Sequence, residues 1–264
     1  MKVLIVYAHQ EAQSFNAALV ARSVEVLTAQ GHEVKVSDLY AMRFNPVASA
    51  DDFGERRFPA VLQYDREQKH NYQKNSLSDD IAAEIEKLLW CDMLILQFPL
   101  WWFSVPAIMK GWIDRVFVNG AVYGSGRRYD TGGLNGRRAM VVTSTAAYPG
   151  MCAADGLVGA LDVILWPVQN GALAYAGFKV LPPFVSWSVN FVDAATRRRY
   201  LDDYATRLAQ IETTEPLFFH PLQDFGPNWR LKPDVTARTV GQGRPAGADA
   251  RAIQSTNNGR GQRV

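Results

Sequence analysis

Residues 2–8 (KVLIVYA) and 93–98 (MLILQF) are short apolar runs without the polar alternation of a half-exposed strand. Runs of that kind suit strands covered on both faces, the situation of a parallel sheet with helices on either side. The intervening sequence supplies the helices. Ser14 can cap one running to about residue 30, with Gly31 as its stop. Residues 33–38 read as a second strand. Ser78 ahead of Asp79-Asp80 starts a helix that runs to about Trp90, and Pro106 opens another ending near Phe117. Residues 138–144 are a fourth strand, and a helix over 159–174 follows. Residues 179–189 are a fifth strand, interrupted by Pro182-Pro183, which suit an edge or a bend. A helix from Asp193 to about Thr213 closes the pattern. Strands alternating with helices predict an α/β fold with a doubly wound five-stranded parallel sheet. Residues 40–77 carry many charges and no clear period, and are predicted as long loops with short helical pieces. The domain is expected to span residues 1–214, and the Pro- and Gly-rich residues 215–264 to form a C-terminal arm.

A length of 264 residues suits one sizeable domain with an extension. With 48 % hydrophobic and 20 % charged residues, the composition is that of an ordinary globular protein. No apolar run approaches the roughly 18 residues of a membrane span. The first strand turns polar at His9-Gln10-Glu11, unlike a signal peptide. Cys91 and Cys152 form neither a disulfide framework nor a metal motif, and a cytoplasmic location is expected. The formal net charge is +2. Four arginines against one aspartate lie in the extension 241–264, so the body is near neutral and carries no electrostatic footprint for nucleic acid.

In a doubly wound sheet, ligands collect beyond the C-terminal strand ends, where strand order reverses. The loop after the first strand, residues 8–16, feeds a helix N-terminus whose N–H groups can hold an anionic phosphate. Read alone, Ser14 is equally a plain helix cap and His9 a surface residue. The loop after the third strand, residues 97–106, carries Trp101, Trp102 and Phe103 in succession. Three adjacent large aromatics suit a flat heterocycle, or else a hydrophobic cluster or subunit contact. The loop after the fourth strand, Ser144-Thr145-Ala146-Ala147-Tyr148-Pro149-Gly150, has small residues that let backbone N–H groups approach a ligand. These loops share one rim, which strengthens the ligand reading for each. No Gly-x-Gly-x-x-Gly, Walker sequence, metal-ligand spacing of the four histidines, or nucleophile elbow is present.

The chain resembles the NAD(P)H:quinone oxidoreductases of the DT-diaphorase type, a flavodoxin-like family, from about Lys2 to Leu217. The blocks that carry the resemblance begin with Ala8-His9, Ser14-Phe15-Asn16, Ser37-Asp38-Leu39-Tyr40-Ala41-Met42 and Phe44-Asn45-Pro46. They continue with Gln97-Phe98-Pro99-Leu100, Trp102-Phe103, Val105-Pro106-Ala107-Ile108, Lys110-Gly111-Trp112, Arg115-Val116-Phe117 and Val163-Ile164-Leu165-Trp166-Pro167. The resemblance implies FAD as cofactor, NAD(P)H as donor, a quinone-like acceptor, and a homodimer with shared sites. It places His9, Ser14, Phe15 and Asn16 near the FAD diphosphate, with Gln63 and Arg197 as further contacts. Pro99, Leu100, Trp101, Trp102 and Phe103, and Ser144, Thr145, Ala146 and Ala147, would surround the isoalloxazine. Asp114 would reach the partner subunit's flavin. Trp102, Phe103, Tyr123, Ser125, Arg128, Tyr148 and Tyr175 would line the substrate pocket.

This chain departs from the family pattern at several positions. Gln13 stands in place of a threonine in the phosphate loop, and Ala146-Ala147 replace paired glycines. Ser125, Arg128 and Tyr175 replace a tyrosine, a methionine and a phenylalanine of the pocket. Cys152 and Val158 match the tyrosine and histidine that would stabilise charge during hydride transfer, which leaves Tyr148 and the backbone of Ala146 and Ala147 as candidates for that task. The expected reaction is ping-pong hydride transfer from NAD(P)H through FAD to a quinone. The alternatives are nitro- or azo-reduction and a flavin-binding accessory subunit.

Overall fold

The computed structural model describes residues 1–242. Its central strands are β1 (Lys2–Tyr7), β2 (Glu33–Asp38), β3 (Met93–Pro99) and β4 (Arg138–Ser144). The edge strand comes in two pieces, β5 (Lys179–Val180) and β6 (Phe184–Ser186), both paired in parallel with β4. Pro182-Pro183 lie between them, and because proline has no N–H to donate, the break sits at the edge. The sheet order is β2-β1-β3-β4-β5, wholly parallel, so the α/β flavodoxin-like prediction holds. Every residue of β3 is buried, as expected for a strand covered on both faces.

On one face lie α1 (Phe15–Ala29) and α6 (Ala194–Ala209). They pack Leu19, Leu27, Tyr204 and Leu208 onto Val3, Ile5, Ile95 and Val142 of the sheet. The Tyr204 hydroxyl is buried here and pairs with Ser23 at 2.8 Å. On the other face are α3 (Asp79–Trp90) and α4 (Ala107–Val116). There Glu84 is buried with its carboxylate accepting from Trp112 Nε1 at 2.8 Å and from Ser37 and Lys87. The expected helix over 159–174 is α5 (Leu161–Val168), which widens into a π-helical turn, Gln169–Ala174.

Residues 40–77 hold one element that the sequence reading missed, the helix α2 (Tyr64–Lys74). Its buried residues are Glu67, Gln68 and Asn71, so the inward stripe is polar and leaves no hydrophobic period. Glu67 accepts from Arg56 Nε and from the N–H groups of Arg57 and Phe58. Asn71 donates to Glu55 O and accepts from Ser76.

Arg115, 2 % exposed, anchors the same segment. Its guanidinium donates to Asp52 Oδ1 at 2.7 Å, Asp80 Oδ2 at 2.6 Å and Asn45 O at 2.8 Å. Tyr64 adds its hydroxyl to Asp52. Beside this cluster, Gly111 of α4 meets the backbone of Pro46, where any Cβ would lie 2.2 Å from the carbonyl oxygen. Burial opposes the charge on Asp80, but the Arg115 guanidinium and the Ser78 hydroxyl prevail and hold its carboxyl below the usual range.

The chain divides into two compact units at Leu217/Phe218. Residues 215–217 join the first, through the Leu217 N–H donated to Val180 O. Within the second, His220 Nδ1 pairs with Asp224 at 2.8 Å and its Nε2 accepts the Arg238 N–H. Of the basic extension 241–264, everything beyond residue 242 lies outside the described residues.

Removing Arg115 strands Asp52 as a buried charge, a loss of about 3–5 kcal/mol for a broken buried pair. Arg115→Met is therefore expected to lower the urea midpoint sharply, whereas Arg22→Ala, at a surface pair, costs under about 1 kcal/mol. Because the folded carboxyl of Asp80 titrates low, its contribution is full above the ordinary value of 3.8 and is lost as pH falls below it. Arg115→Met should flatten that acid limb of the stability curve.

Candidate functional site

Strand order reverses between β1 and β3, and the loops leaving those two ends diverge to opposite sides of the sheet. A cleft of about 460 Å³ opens there, lined by His9, Ser14, Phe15, Asn16, Pro99, Leu100, Trp101, Ser144, Thr145, Ala146, Val189 and Asn190. A second cavity of about 460 Å³ shares Ser14, Phe15, Val189 and Asn190 with it and continues past Gln13 and Ala18 to Arg197. Together they form one groove across the N-terminus of α1.

Ser14 caps α1, its hydroxyl accepting the Ala17 N–H at 3.1 Å while its carbonyl accepts that of Ala18. The N–H groups of Phe15 and Asn16, at the first two helical positions, have no acceptor within the helix and are available to an anion. His9 Nδ1 accepts the Glu11 N–H at 3.0 Å, so the neutral ring carries its proton on Nε2, a second donor at the same end. Burial pulls the His9 pKa below the usual histidine value, against the Glu11 contacts that raise it. The imidazole lies 6.1 Å from the Trp101 ring, tilted against it.

The floor is a buried polar chain. Gln97 Nε2 donates to Asn16 Oδ1 at 2.9 Å, and Asn16 Nδ2 donates to Ser144 Oγ at 2.8 Å. Gln97 Oε1 and Ser186 Oγ are buried without a hydrogen-bond partner among the described residues. These bonds tie the N-terminus of α1 to the C-terminal ends of β3 and β4 by side chains.

Trp101 and Ser104 exchange both backbone hydrogen bonds, at 3.1 and 3.0 Å, closing a two-residue hairpin. Its tip residues Trp102 and Phe103 have φ of 50° and 58°, the left-handed values of a type I′ turn that ordinarily takes Asn and Gly. Their side chains are 95 % and 52 % exposed. Beyond β4, Thr145 N–H donates to Ser186 O and Ala147 N–H to Thr145 Oγ1. Of the two amides expected to face a ligand, that of Ala147 is thus committed within the loop; that of Ala146 makes no such bond.

The structure brings His9, Ser14, Phe15, Asn16, Pro99, Leu100, Trp101, Ser144, Thr145, Ala146 and Arg197 onto one groove. Arg197 is held there by donating to the carbonyls of Val189 and Val192. Sequence reasoning missed Val189 and Asn190, although the rule that found the other loops, the C-terminal end of a strand, applies to them as well. Trp102, Phe103, Ala147, Tyr148, Cys152 and Val158 are not among the residues that line the cleft. Tyr148 is 55 % exposed. The Cys152 thiol is buried, which pushes its pKa up, and Val158 serves through its N–H, donated to Met151 O.

Asp114, Tyr123 and Tyr175, expected to act across subunits, lie off the groove, as do the other expected contacts Gln63, Ser125 and Arg128. Tyr175 stacks 6.0 Å from Tyr123 and 5.3 Å from Tyr129. Asp114 pairs with Lys110 at 2.6 Å on the exposed side of α4, Ser125 is exposed, Arg128 is half-buried, and Gln63 immediately precedes α2. Among the described residues no helix is long and apolar enough to cross a membrane.

The family model described as flavodoxin-like fold matches residues 1–210. The ribosyldihydronicotinamide dehydrogenase [quinone] of Mus musculus is 43 % identical over 221 residues, covering 83 % of this chain and 96 % of that protein. NAD(P)H dehydrogenase [quinone] 1 of Rattus norvegicus is 40 % identical over 230 residues, covering 87 % and 84 %. A crystal structure of a candidate quinone reductase from Klebsiella pneumoniae superposes with a TM-score of 0.83 at 40 % identity, covering 88 % and 94 %. A general stress protein 14 from Treponema denticola, solved in complex with FMN, gives a TM-score of 0.56 at 27 % identity, covering 80 % and 99 %. By its fold, its blocks of sequence and these relatives, the chain belongs to the NAD(P)H:quinone oxidoreductases of flavodoxin-like fold, a family that implies a flavin cofactor.

Proposed function

We propose that this protein binds FAD and reduces a quinone-like acceptor with NAD(P)H, as a homodimer whose two sites each draw on both subunits. The observation that carries the FAD reading is the continuation of the groove past the α1 N-terminus to Arg197, which gives room beyond a single phosphate. The residues present fit the group. The free N–H groups of Phe15 and Asn16, the Ser14 hydroxyl and His9 Nε2–H would hold the diphosphate. Arg197 would reach the adenosine side, and Gln63, off its own groove, would serve as a further contact only in the partner subunit's site.

Pro99, Leu100 and Trp101, with Ser144 and Thr145 opposite, would flank the isoalloxazine. A bound flavin supplies two-electron hydride chemistry, and NAD(P)H and acceptor take turns at one face, a ping-pong cycle. Around it the protein's part is to exclude water, orient the rings and stabilise charge. The Ala146 N–H and the Tyr148 hydroxyl are the donors this chain offers for that charge, since Cys152 is a weak donor and Val158 has none in its side chain. Asp114, Tyr123, Ser125, Arg128 and Tyr175, away from their own cleft, make sense as contributions to the partner subunit's, with Trp102 and Phe103 on the near side. We place this chemistry on residues 1–214 and treat 215–264 as an extension.

Purified protein is expected to be yellow and to release FAD on denaturation, identified by chromatography; release of FMN alone would overturn the reading. Arg197→Ala should weaken FAD binding to the stripped protein roughly tenfold or more, the scale of a charged hydrogen bond, and leave FMN binding nearly untouched. Sedimentation should give a dimer at micromolar concentration, and a monomer with full quinone turnover would refute the shared site. In stopped-flow reduction by NAD(P)H, Tyr148→Phe should slow the hydride step about tenfold, equivalent to about 1.4 kcal/mol. If Tyr148→Phe matches wild type while Cys152→Ala abolishes reduction, the thiol holds the role instead.

A further inference from the structure

We propose that Gln68 is a positioning residue for the acceptor, acting through Tyr123; this rests on the reading of Tyr123 as a pocket residue of the shared site. Gln68 lies on the buried face of α2 and is 2 % exposed. Its Nε2 donates to Asp114 O at 3.1 Å. That carbonyl belongs to the last turn of α4, where the Val118 N–H that would have served it bonds to Val116 O instead. The amide of Gln68 thus satisfies an orphan of the helix end.

The other end of the same amide faces the following turn. Gln68 Oε1 accepts the Asn119 N–H and the Tyr123 hydroxyl, both at 3.4 Å. The turn is closed by the Gly120 N–H, donated to Tyr123 O at 2.7 Å. It rests on α2: Gly120, at φ +99°, has the side chains of Lys69 and Tyr72 within 3.6 Å of where a Cβ would stand. One planar amide therefore fixes the distance between the end of α4, which carries Asp114, and the phenol of Tyr123. Both are residues assigned above to the partner's site. At 3.4 Å the acceptor contacts are long, so the orientation they impose is soft and its loss graded.

The structure so assigns to α2 a role that its charged sequence hides. The helix is a platform beneath the segment that one subunit hands to the other, and Gln68 is its adjustable point. Tyr123 would touch the acceptor; Gln68 would set only how its hydroxyl and ring are presented, together with Tyr175 at 6.0 Å.

The test compares wild type, Gln68→Leu, Tyr123→Phe and the double variant as flavin-loaded protein, with a small benzoquinone and a bulkier naphthoquinone. Gln68→Leu is expected to raise KM for the bulkier acceptor roughly three- to tenfold, the size of one modest hydrogen bond, with kcat moving less. In the Tyr123→Phe background the same change should shrink to less than about twofold, because residues acting through one contact are not additive. Effects that simply add in the double variant would overturn the proposal, as would an unchanged KM. Should Gln68→Leu fail to fold, Gln68→Asn, one methylene too short to reach both partners, takes its place with the same outcomes. A readout apart from activity is amide exchange over residues 117–123 in flavin-free protein, expected to quicken in the Gln68 variants; unaltered exchange would overturn the clamp. Wild type that exchanges as expected but never turns over a quinone would instead sink the function and leave the clamp standing.

Discussion

Five ladder positions pair β1 with β3, from Val3 opposite Met93 to Tyr7 opposite Gln97, and the rest of the molecule is arranged around that pairing. Both strands are buried on both faces, so neither loop leaving them can fold back across the sheet. β1 passes to α1 and on to β2 in one direction across the sheet, while β3 passes to α4 and on to β4 in the other. The space between the departing loops has no covering element. It is a cleft by topology before any side chain is placed. What the side chains add is polarity: Gln97 of β3, Asn16 of α1 and Ser144 of β4 are joined at its floor by hydrogen bonds of 2.9 and 2.8 Å, linking elements that are distant in sequence.

The second organising feature is burial of charge outside the main core. Arg115, Asp52, Asp80 and Tyr64 form one cluster, and Glu67 with Arg56 and two backbone N–H groups another. Such clusters contribute little net stability against an apolar equivalent, because desolvation offsets the Coulomb gain. They have a steep penalty for partial disruption. For a segment of 40 or so residues between β2 and α3 with few apolar anchors, that asymmetry fixes one conformation: Asn45, Asp52 and Tyr64 all converge on α4, whose end carries Asp114.

These two features explain what was legible in the sequence. Strands β1, β3 and β4 showed as apolar runs because both faces are covered, and their end loops followed by rule. Helix α2 did not show, since a stripe of Glu67, Gln68 and Asn71 scores as surface in any hydrophobic period. Val189 was hidden by a strand drawn too long: the proline pair splits it and β6 ends at Ser186, so Val189 belongs to the loop at its end, with Asn190 next to it. The side-chain bond from Ala147 N–H to Thr145 Oγ1 was equally out of reach, because small loop residues carry no pattern that says which amides are already used.

The hairpin tip is the one place where local preference and structure disagree outright. Left-handed backbone at two large aromatics costs on the order of 1–3 kcal/mol each, and Asn-Gly in their place would relieve it. Nothing in the chain's own core repays that cost at Trp102, whose side chain is 95 % exposed. The flanking bonds between Trp101 and Ser104 impose the turn, and Pro106 just beyond it limits how the strand end can relax. Strain of that kind clusters at ligand-binding loops, and here it falls directly beside Trp101, which lines the cleft. The turn fixes the backbone that carries the two rings, while the exposed Trp102 ring itself keeps its rotamer freedom. Ordering the aromatic side chains on a flat ligand would still cost about 0.5–1.5 kcal/mol each; what folding settles beforehand is the backbone of the tip.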